Sequence, residues 1–147
     1  MDVNSTAEKA SELLRLHTAP ELLLVVNVWD AISATVVART PGTTALATAS
    51  HSIAASHGYP DGEKIPRDEM IAAVGLIART AGDLPVSADL EAGYGDPGGT
   101  IARAIDVGIV GANLEDRMKP LAESVQAVEA AVAAGAAAGV PLSLIHI

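Results

Sequence analysis

The residues best suited to chemistry are two carboxylates at the end of an apolar strand. Asp89 and Glu91 follow the run 85–88 and lead directly into the glycine-rich turn Gly93-Tyr94-Gly95. Side chains two positions apart on a strand point to the same face, and glycine lets the backbone approach a ligand closely. Carboxylate oxygens are the ligands that hard cations prefer. The segment therefore predicts a site where a divalent cation and an anionic substrate meet.

Composition excludes several functional classes. Half of the 147 residues are hydrophobic, 18% are charged, and the formal net charge is -9. This balance is typical of an acidic globular protein, and it argues against a nucleic-acid partner, because nucleic-acid affinity comes mainly from basic residues on phosphates. The chain has no cysteine, so disulfides, thiolate nucleophiles and cysteine-bound zinc are excluded.

The N-terminal segment bears on the cellular localisation of the protein. It carries Asp2, Glu8, Glu12 and Arg15 and has no apolar signal core. No uninterrupted apolar run reaches the roughly 18 residues that a membrane span needs. We therefore expect a soluble, cytoplasmic protein with no membrane partner.

Turn and cap residues divide the chain into alternating helices and strands. The Ser-x-x-Glu spacing from Ser5 to Glu8 is that of a capping box and predicts a leading helix to about His17. Apolar runs of strand length then alternate with segments of helical character. The predicted strands are 22–28, 44–49, 85–90, 110–114 and 142–147, and the predicted helices between them are about 31–39, 66–81, 99–106 and 121–138.

This alternation predicts an α/β fold with a parallel sheet covered by helices. Both a (β/α)8 TIM barrel and an open doubly wound sheet fit the order, but polar candidates follow each of four consecutive strands. In a barrel those strand ends meet at one mouth, whereas an open sheet places its site at the switch point, so we favour the barrel. The candidates are Asn27, Trp29 and Asp30, then Ser50, His51, Ser52 and Asp61, then Asp89 and Glu91, and finally Glu115 and Asp116.

The chain is short for a complete barrel, which takes about 250 residues. Residues 1–147 supply only about the first five βα units, so we expect a single partial barrel domain whose C-terminal half is missing. The first and last strands of such a domain have bare edges, and bare edges pair with other chains.

Several candidates have a structural explanation beside the functional one. Asp30 precedes a helix and is as good an N-cap as a site residue. Asp61 lies in a Pro-Asp-Gly turn, whose type alone explains an aspartate. His51 and His57 are candidates for general acids or bases, although loop histidines are common. No base is positioned for Ser50 by sequence, so a binding role fits it better than a nucleophilic one.

The aromatic residues are few, and their positions are informative. The chain has no phenylalanine, and Trp29, Tyr59 and Tyr94 all fall in segments that follow predicted strands. Aromatic rings there can stack on a ligand or hydrogen-bond to it. Trp29 and Tyr94 are therefore candidate substrate-binding residues.

Four segments together resemble the isocitrate lyase/phosphoenolpyruvate mutase superfamily in order and spacing. They are Asn-Val-Trp-Asp-Ala at 27–31, His-Gly-Tyr-Pro-Asp at 57–61, Ser-Ala-Asp-Leu-Glu-Ala-Gly-Tyr-Gly at 87–95 and Asn-Leu-Glu-Asp at 113–116. The resemblance covers about 22–141. It implies a (β/α)8 barrel that assembles as a homotetramer or homodimer and binds Mg2+, with Mn2+ as an alternative. Members of the superfamily stabilise enolates of small oxo acids.

Carried over by position, the resemblance assigns roles to individual residues. It makes Asp89 the direct metal ligand, with Glu91 and Glu115 holding metal-bound water. Ser50 matches the serine that binds the substrate carboxylate, and Asp61 resembles an aspartate near the reacting atoms. A small anionic carboxylate is the substrate that this set implies.

Departures from the superfamily pattern leave the reaction open. Many members have glycines after the serine, where this chain has Ser50-His51-Ser52, so an imidazole reshapes the carboxylate cradle. The Lys-Arg-Cys-Gly-His loop of isocitrate-type lyases is replaced by the segment 117–120, which argues against that mechanism. Lys119 is a candidate for the gating-loop lysine of the phosphonate-forming mutases, but nothing matches their asparagine.

The expected function is that of a Mg2+-dependent carbon–carbon lyase. It would cleave or form a C–C bond of a small 2-oxo acid or related carboxylate through a metal-stabilised enolate. A phosphoenolpyruvate mutase-type C–P enzyme and an oxaloacetate-type hydrolase or decarboxylase are alternatives on the same site. An inactive fragment or assembly module is the alternative from a different class.

Overall fold

The computed structural model describes the backbone of residues 3–147 and the side chains from residue 6 onward. Helices and strands alternate along it. In chain order they are α1 (Val3–Thr18), β1 (Val26–Val28), α2 (Ala31–Ala38), β2 (Leu46–Thr48), α3 (Ser50–Ser56), α4 (Arg67–Thr80), β3 (Val86–Asp89), α5 (Pro97–Asp106), β4 (Gly111–Leu114), α6 (Leu121–Ala137) and β5 (Ser143–His146).

The strands form one parallel sheet whose spatial order is the chain order. The sheet has five strands, and each described strand pairs with the next one in sequence, from β1 to β5. This is the winding of a (β/α)8 barrel, whereas a doubly wound sheet reverses its strand order at a switch point. The predicted fold class is confirmed as an α/β fold with a partial, TIM-barrel-like βα repeat.

The core fixes the register of the strands and so aligns their C-terminal ends. Leu46, Ala88 and Ala112 are fully buried in the sheet. The register pairs Val28 with Thr48 and Asp89 with Asn113, so the last residues of neighbouring strands lie side by side. Aliphatic residues that include Leu13 of α1, Val74 and Ile77 of α4 and Ile101 of α5 complete the buried core. Loops that leave these strands therefore start from one edge of the sheet.

The first two strands are shorter than the apolar runs predicted. β1 begins at Val26, and Leu22 and Leu24 upstream of it are 91% and 75% exposed. An apolar run shows which residues favour burial but not which ones find a pairing strand, so the run alone overextends β1. Asn27, one of the strand-end candidates, lies within β1.

A helix that the sequence did not reveal follows β2. The polar group Ser50, His51 and Ser52 was predicted as a strand-end loop, but it forms the first turn of α3. The segment carries no side-chain cap, and only Ile53 and Ala54 give it a buried apolar face, so it is too short for a clear helical period.

The leading helix begins earlier than its predicted cap. α1 already includes Val3, so Ser5 is helical. The side chain of Ser5 lies outside the described residues, and the capping box predicted there stays a prediction. In the part of the chain that the structure describes, no helix is long and apolar enough to cross a membrane.

Both ends of the sheet carry exposed apolar side chains. Val25, Val26, Ile32 and Val36 are exposed near β1, and Leu121, Val125, Ile145 and Ile147 are exposed near β5. The outer edges of these two strands have no partner strand among the described residues. Such edges and faces are places where further polypeptide packs.

Asp30 caps α2, which confirms the N-cap interpretation of this residue. Its Oδ1 accepts hydrogen bonds from the backbone N–H and the hydroxyl of Ser33, both at 2.7 Å. The Ser33 hydroxyl oxygen in turn accepts from the Asp30 backbone N–H at 3.1 Å, which completes a capping box. The donated Ser33 N–H lowers the pKa of Asp30 below its ordinary value.

We expect Asp30→Ala to lower the free energy of unfolding by about 1 kcal/mol at neutral pH, because α2 loses its cap. Since the folded-state pKa is depressed, the contribution of the carboxylate is complete above the unfolded-state pKa and is lost as the pH falls through the folded-state pKa. Urea denaturation over a descending pH series measures this. The exposed Asp83→Ala is the matched control, and equal stability of Asp30→Ala and wild type at neutral pH would contradict the prediction.

Candidate metal and substrate site

Asp89 ends β3 and is tied to the first residue of α3. Its Oδ2 accepts hydrogen bonds from the Ser50 hydroxyl at 2.7 Å and from the Ser50 backbone N–H at 3.1 Å. Its Oδ1 accepts from the Glu91 backbone N–H at 3.3 Å, and its own N–H donates to Thr48 Oγ1 at 3.0 Å. The predicted metal ligand and the predicted carboxylate-binding serine thus lie side by side, and fixed donors orient the carboxylate.

Glu91 is a buried carboxylate with an incomplete set of partners. Its side chain is 2% exposed, and Oε2 accepts a hydrogen bond from Arg117 Nη2 at 3.0 Å. Oε1 is buried and has no hydrogen-bond partner in the described part of the chain. Burial is the main cause that raises the pKa of Glu91, and the neighbouring Glu63 backbone N–H and the Arg117 charge offset this rise only in part. A buried carboxylate oxygen without a partner is costly, and it points to an ion or water that completes the site.

Arg117 lies among three carboxylates that come from three different loops. Its guanidinium nitrogens are 3.4 Å from Glu63 Oε2, 3.0 Å from Glu91 Oε2 and 3.7 Å from Glu115 Oε2. The Glu115 backbone N–H also donates to the Glu91 carbonyl at 2.7 Å, which joins the loops after β3 and β4. We call these four residues the Arg117 cluster.

The candidate ligands are of the type that a hard cation prefers, but in the part of the chain that the structure describes they are not gathered into a metal-binding group. Among residues 6–147, no three or more His, Asp or Glu side chains form a group that could hold a metal ion. The acids of the Arg117 cluster face the guanidinium, and Asp89 faces Ser50. The candidate ligands are nonetheless oxygen atoms, most of them carboxylate oxygens, which hard cations prefer. One of them, Glu91 Oε1, is buried without a hydrogen-bond partner among the described residues. Metal binding by Asp89, Glu91 and Glu115 stays a prediction.

Tyr94 adds a buried hydroxyl close to this cluster. Its backbone N–H donates to Glu63 Oε1 at 2.6 Å, and its own hydroxyl is buried without a partner among the described residues. Burial raises the pKa of Tyr94, and the charge of Glu91 raises it further, so the phenol stays protonated at neutral pH. A protonated phenol can donate a hydrogen bond to an anionic ligand.

The turn that carries Glu91 and Tyr94 depends on a glycine. Gly93 has a φ of 83°, and a Cβ added there would lie 2.7 Å from Pro97 Cα. The buried Thr100 hydroxyl donates to the Gly93 carbonyl at 2.8 Å and fixes the turn against α5. Any side chain at this position would push the turn away from α5.

Backbone strain is concentrated around the same cluster. In the described chain, every residue other than glycine with a positive φ belongs to the loops of this site. They are Glu63 (59°), Glu91 (52°), Tyr94 (57°), Arg117 (50°) and Met118 (54°). Conformations of this kind cost roughly 1–3 kcal/mol each and persist where the surrounding structure holds them, often at functional sites.

His51 and Asp61 form a second pair at the rim. His51 Nδ1 lies 3.6 Å from Asp61 Oδ2, and their side chains are 72% and 58% exposed. Ser52 is half-buried in the same turn of α3. The structure therefore brings together the predicted histidine and aspartate, which the sequence placed ten positions apart.

Three predicted residues lie apart from the acids. Asp30 caps α2, and the backbone N–H of the exposed Trp29 donates to Ser33 Oγ at 3.1 Å. Lys119 is exposed, and its backbone N–H donates to the Asp116 carbonyl. In the described residues, no hydrogen bond or ion pair joins the side chain of Trp29, Asp30 or Lys119 to Asp89 or to the Arg117 cluster.

Two residues of the cluster were absent from the sequence-based candidates. Arg117 follows Glu115 and Asp116 directly, so its position next to the predicted metal ligands was a usable signal. Glu63 follows a Pro-Asp-Gly turn, and no feature of the sequence pointed to it.

Comparison with known proteins identifies the family. The model described as phosphoenolpyruvate phosphomutase matches residues 13–145. The chain belongs to this family. The predicted resemblance to the isocitrate lyase/phosphoenolpyruvate mutase superfamily is thereby confirmed.

Solved structures of the superfamily share this framework. A protein from Burkholderia cenocepacia J2315 described as a phosphonomutase is 40% identical, with a TM-score of 0.87 over 96% of this chain and 59% of its own. A 2,3-dimethylmalate lyase is 29% identical, with a TM-score of 0.84 over 94% of this chain and 52% of its own. Oxaloacetate acetylhydrolase in complex with the product oxalate is 28% identical, with a TM-score of 0.86 over 97% of this chain and 53% of its own.

The chain, a member of the phosphoenolpyruvate phosphomutase family, matches only part of the length of its relatives. It spans 38% of the length of the curated relatives it matches, two uncharacterized proteins of Mycobacterium tuberculosis that are 33% identical over 102 residues. The names of its solved neighbours include a mutase, a lyase and a hydrolase, so the family is one of enzymes. The activity of the whole protein is a matter for proposal.

We expect Glu91→Gln to raise the thermal midpoint of unfolding at neutral pH, because it removes a buried charge that the fold disfavours. A raised folded-state pKa means that the folded chain binds more protons than the unfolded chain between the two pKa values. Wild-type stability should therefore fall as the pH rises through that interval, and the stability of the variant should not. Circular dichroism melts over a pH series measure the difference.

The control for this comparison is Glu129→Gln, which removes an exposed carboxylate from α6. It should leave the pH dependence of wild type unchanged. A lower thermal midpoint for Glu91→Gln than for wild type at neutral pH would show that the Arg117 pairing outweighs burial, contrary to the prediction.

Proposed function

We propose that this chain belongs to a Mg2+-dependent enzyme that cleaves or forms a C–C bond of a small 2-oxo acid or related carboxylate through an enolate. The observation that supports it most is the convergence of acids at one edge of the sheet. There Asp89 meets Ser50, and Glu91 and Glu115 meet around a single cationic side chain. The C-terminal edge of parallel strands is where TIM-barrel enzymes place their sites.

The cation would be held by Asp89, Glu91 and Glu115, with Mg2+ or Mn2+ as the ion. When bound, it supplies Lewis-acid stabilisation of negative charge on a substrate oxygen, which contributes several kcal/mol. Contacts within the chain orient the carboxylates that would bind the cation. The Ser50 hydroxyl holds Asp89 in one orientation, and the turn at Gly93 keeps Glu91 buried.

Polar groups beside these acids are the proposed substrate-binding residues. We assign the substrate carboxylate to Ser50, Ser52 and the imidazole of His51, and the Tyr94 phenol is a further donor. The Ser50 hydroxyl donates to Asp89 Oδ2 in the structure and would turn to the substrate once the cation occupies Asp89. Trp29 and Asp30 flank the mouth at the end of β1 as further substrate-binding candidates.

His51 and Asp61, the exposed pair, are the proposed proton-transfer residues, and Lys119 is a further catalytic candidate. Asp61 can hold the His51 imidazole in position, so that His51 takes up or gives a proton at Nε2. Lys119, exposed in the loop after β4, is the candidate for a cation that covers the site. Membership of the superfamily, as its resemblance implies, favours a homodimer or homotetramer for the whole protein.

Two other reactions on the same site have specific support. The family match favours a phosphoenolpyruvate mutase-type C–P rearrangement. The likeness to oxaloacetate acetylhydrolase favours hydrolysis, which differs from the lyase reaction by the entry of water. Product analysis in 18O-labelled water separates them, because only the hydrolase places the label in a carboxylate product.

We expect the chain to bind Mg2+ and oxalate together. Asp89→Ala should weaken Mg2+ binding by at least about 10- to 100-fold, because loss of a residue that only supports a metal ligand already has an effect of that size. Oxalate serves as the probe because it imitates an enolpyruvate. Isothermal titration calorimetry measures both affinities. The exposed Asp83→Ala is the matched control, and normal binding of Mg2+ and oxalate by Asp89→Ala would refute the proposed site.

A further inference from the structure

The Arg117 cluster contains more than a surface ion pair. One guanidinium contacts Glu63, Glu91 and Glu115, and Glu91 is buried. Without that positive charge, three carboxylates from separate loops would repel one another in a poorly solvated place. Arg117 therefore serves the free protein as the counter-charge that lets these loops meet.

We propose that Arg117 is an internal stand-in for the divalent cation, and that it must leave Glu91 and Glu115 before the cation binds. The inference rests on the proposed function, because it takes the same two acids as metal ligands. Arg117 lies against Oε2 of both carboxylates, so a cation held by the same two carboxylates would lie within a few ångströms of the guanidinium. Two positive groups cannot share these carboxylates without strong repulsion, so binding of the cation and docking of Arg117 are mutually exclusive.

The arginine is an incomplete substitute for an ion with a water shell. It satisfies Glu91 Oε2 but leaves Glu91 Oε1 buried without a partner in the described residues. The Tyr94 hydroxyl is likewise buried without a hydrogen-bond partner among the described residues. A hydrated cation carries twice the charge and brings water donors and acceptors that a fixed guanidinium cannot place on both sides of the carboxylate.

The segment that carries Arg117 is both strained and exposed. Arg117 and Met118 both have left-handed backbone conformations, with φ of 50° and 54°, and Met118 is 95% exposed. Asp116 Oδ1 holds the segment by accepting a hydrogen bond from the Met118 N–H at 2.7 Å. Release of the guanidinium removes the ion pairs that hold this strained conformation, so the segment can relax as Arg117 leaves.

This exchange lowers the apparent affinity for the cation. The free protein is in the Arg117-docked state, and the cation binds only the undocked state, so its apparent dissociation constant is raised by the docking equilibrium. Arg117→Gln removes the competing charge and keeps a planar polar group. The variant no longer forms the charged hydrogen bond that favours docking, so we expect it to bind Mg2+ on the order of tenfold more tightly.

The experiment is calorimetric titration of the chain with MgCl2 alone, for wild type and Arg117→Gln. The matched control is Arg103→Gln, because Arg103 pairs at 2.6 Å with Asp68 at an exposed position outside the cluster. Arg103→Gln should bind Mg2+ as wild type does. Equal Mg2+ affinity for Arg117→Gln and wild type would overturn the proposal and leave the proposed cation site standing, whereas failure of both to bind Mg2+ would refute the site and the exchange together.

A second readout keeps Arg117 in place and follows the segment itself. The chain has no cysteine, so Met118→Cys offers a single position for a nitroxide spin label. Saturating Mg2+ should narrow the electron paramagnetic resonance lines of this label, because the segment is released. A label at the exposed Ser11→Cys of α1 should not respond, and an unchanged spectrum at position 118 under saturating Mg2+ would overturn the proposal even if Arg117→Gln fails to fold.

Discussion

The site depends on one buried carboxylate whose charge is only partly balanced. Glu91 is 2% exposed, and Arg117 reaches just one of its two oxygens. Removing a carboxylate from water costs several kcal/mol unless partners replace the water, so the fold maintains this arrangement against its own stability. Glu63, Glu91 and Arg117 also have left-handed backbone conformations, so strain and unbalanced charge occur in the same loops. A chain selected for stability alone would not keep such a cluster.

The sheet makes that convergence possible. Its parallel strands follow one another in chain order, and their register places Asp89 of β3 beside Asn113 of β4. The loop after β4 then delivers Glu115 to the Glu91 backbone. Solved structures named as a mutase, a lyase and a hydrolase share this framework, so the fold alone does not decide which reaction a member catalyses.

Much of the fold could be predicted from the sequence, because apolar runs and glycine or proline stops mark β3, β4 and α6 within one or two residues. β1 was overextended because apolar character does not reveal which residues find a pairing strand. The sequence does not reveal α3, because seven residues with two neighbouring buried apolar side chains carry no clear helical period. The strand-end acids were found by their spacing, whereas Glu63 and the contacts of Arg117 depend on loop conformations with positive φ that side-chain type does not encode.

The most direct test of the account is the position of a divalent cation in the protein. A crystal soaked with MnCl2 and measured at the manganese absorption edge locates the ion by its anomalous scattering. The account predicts one strong peak among the carboxylates of Asp89, Glu91 and Glu115, with the Arg117 guanidinium withdrawn from Glu91. A protein saturated with Mn2+ whose peak lies elsewhere, with Arg117 still on Glu91, would contradict it.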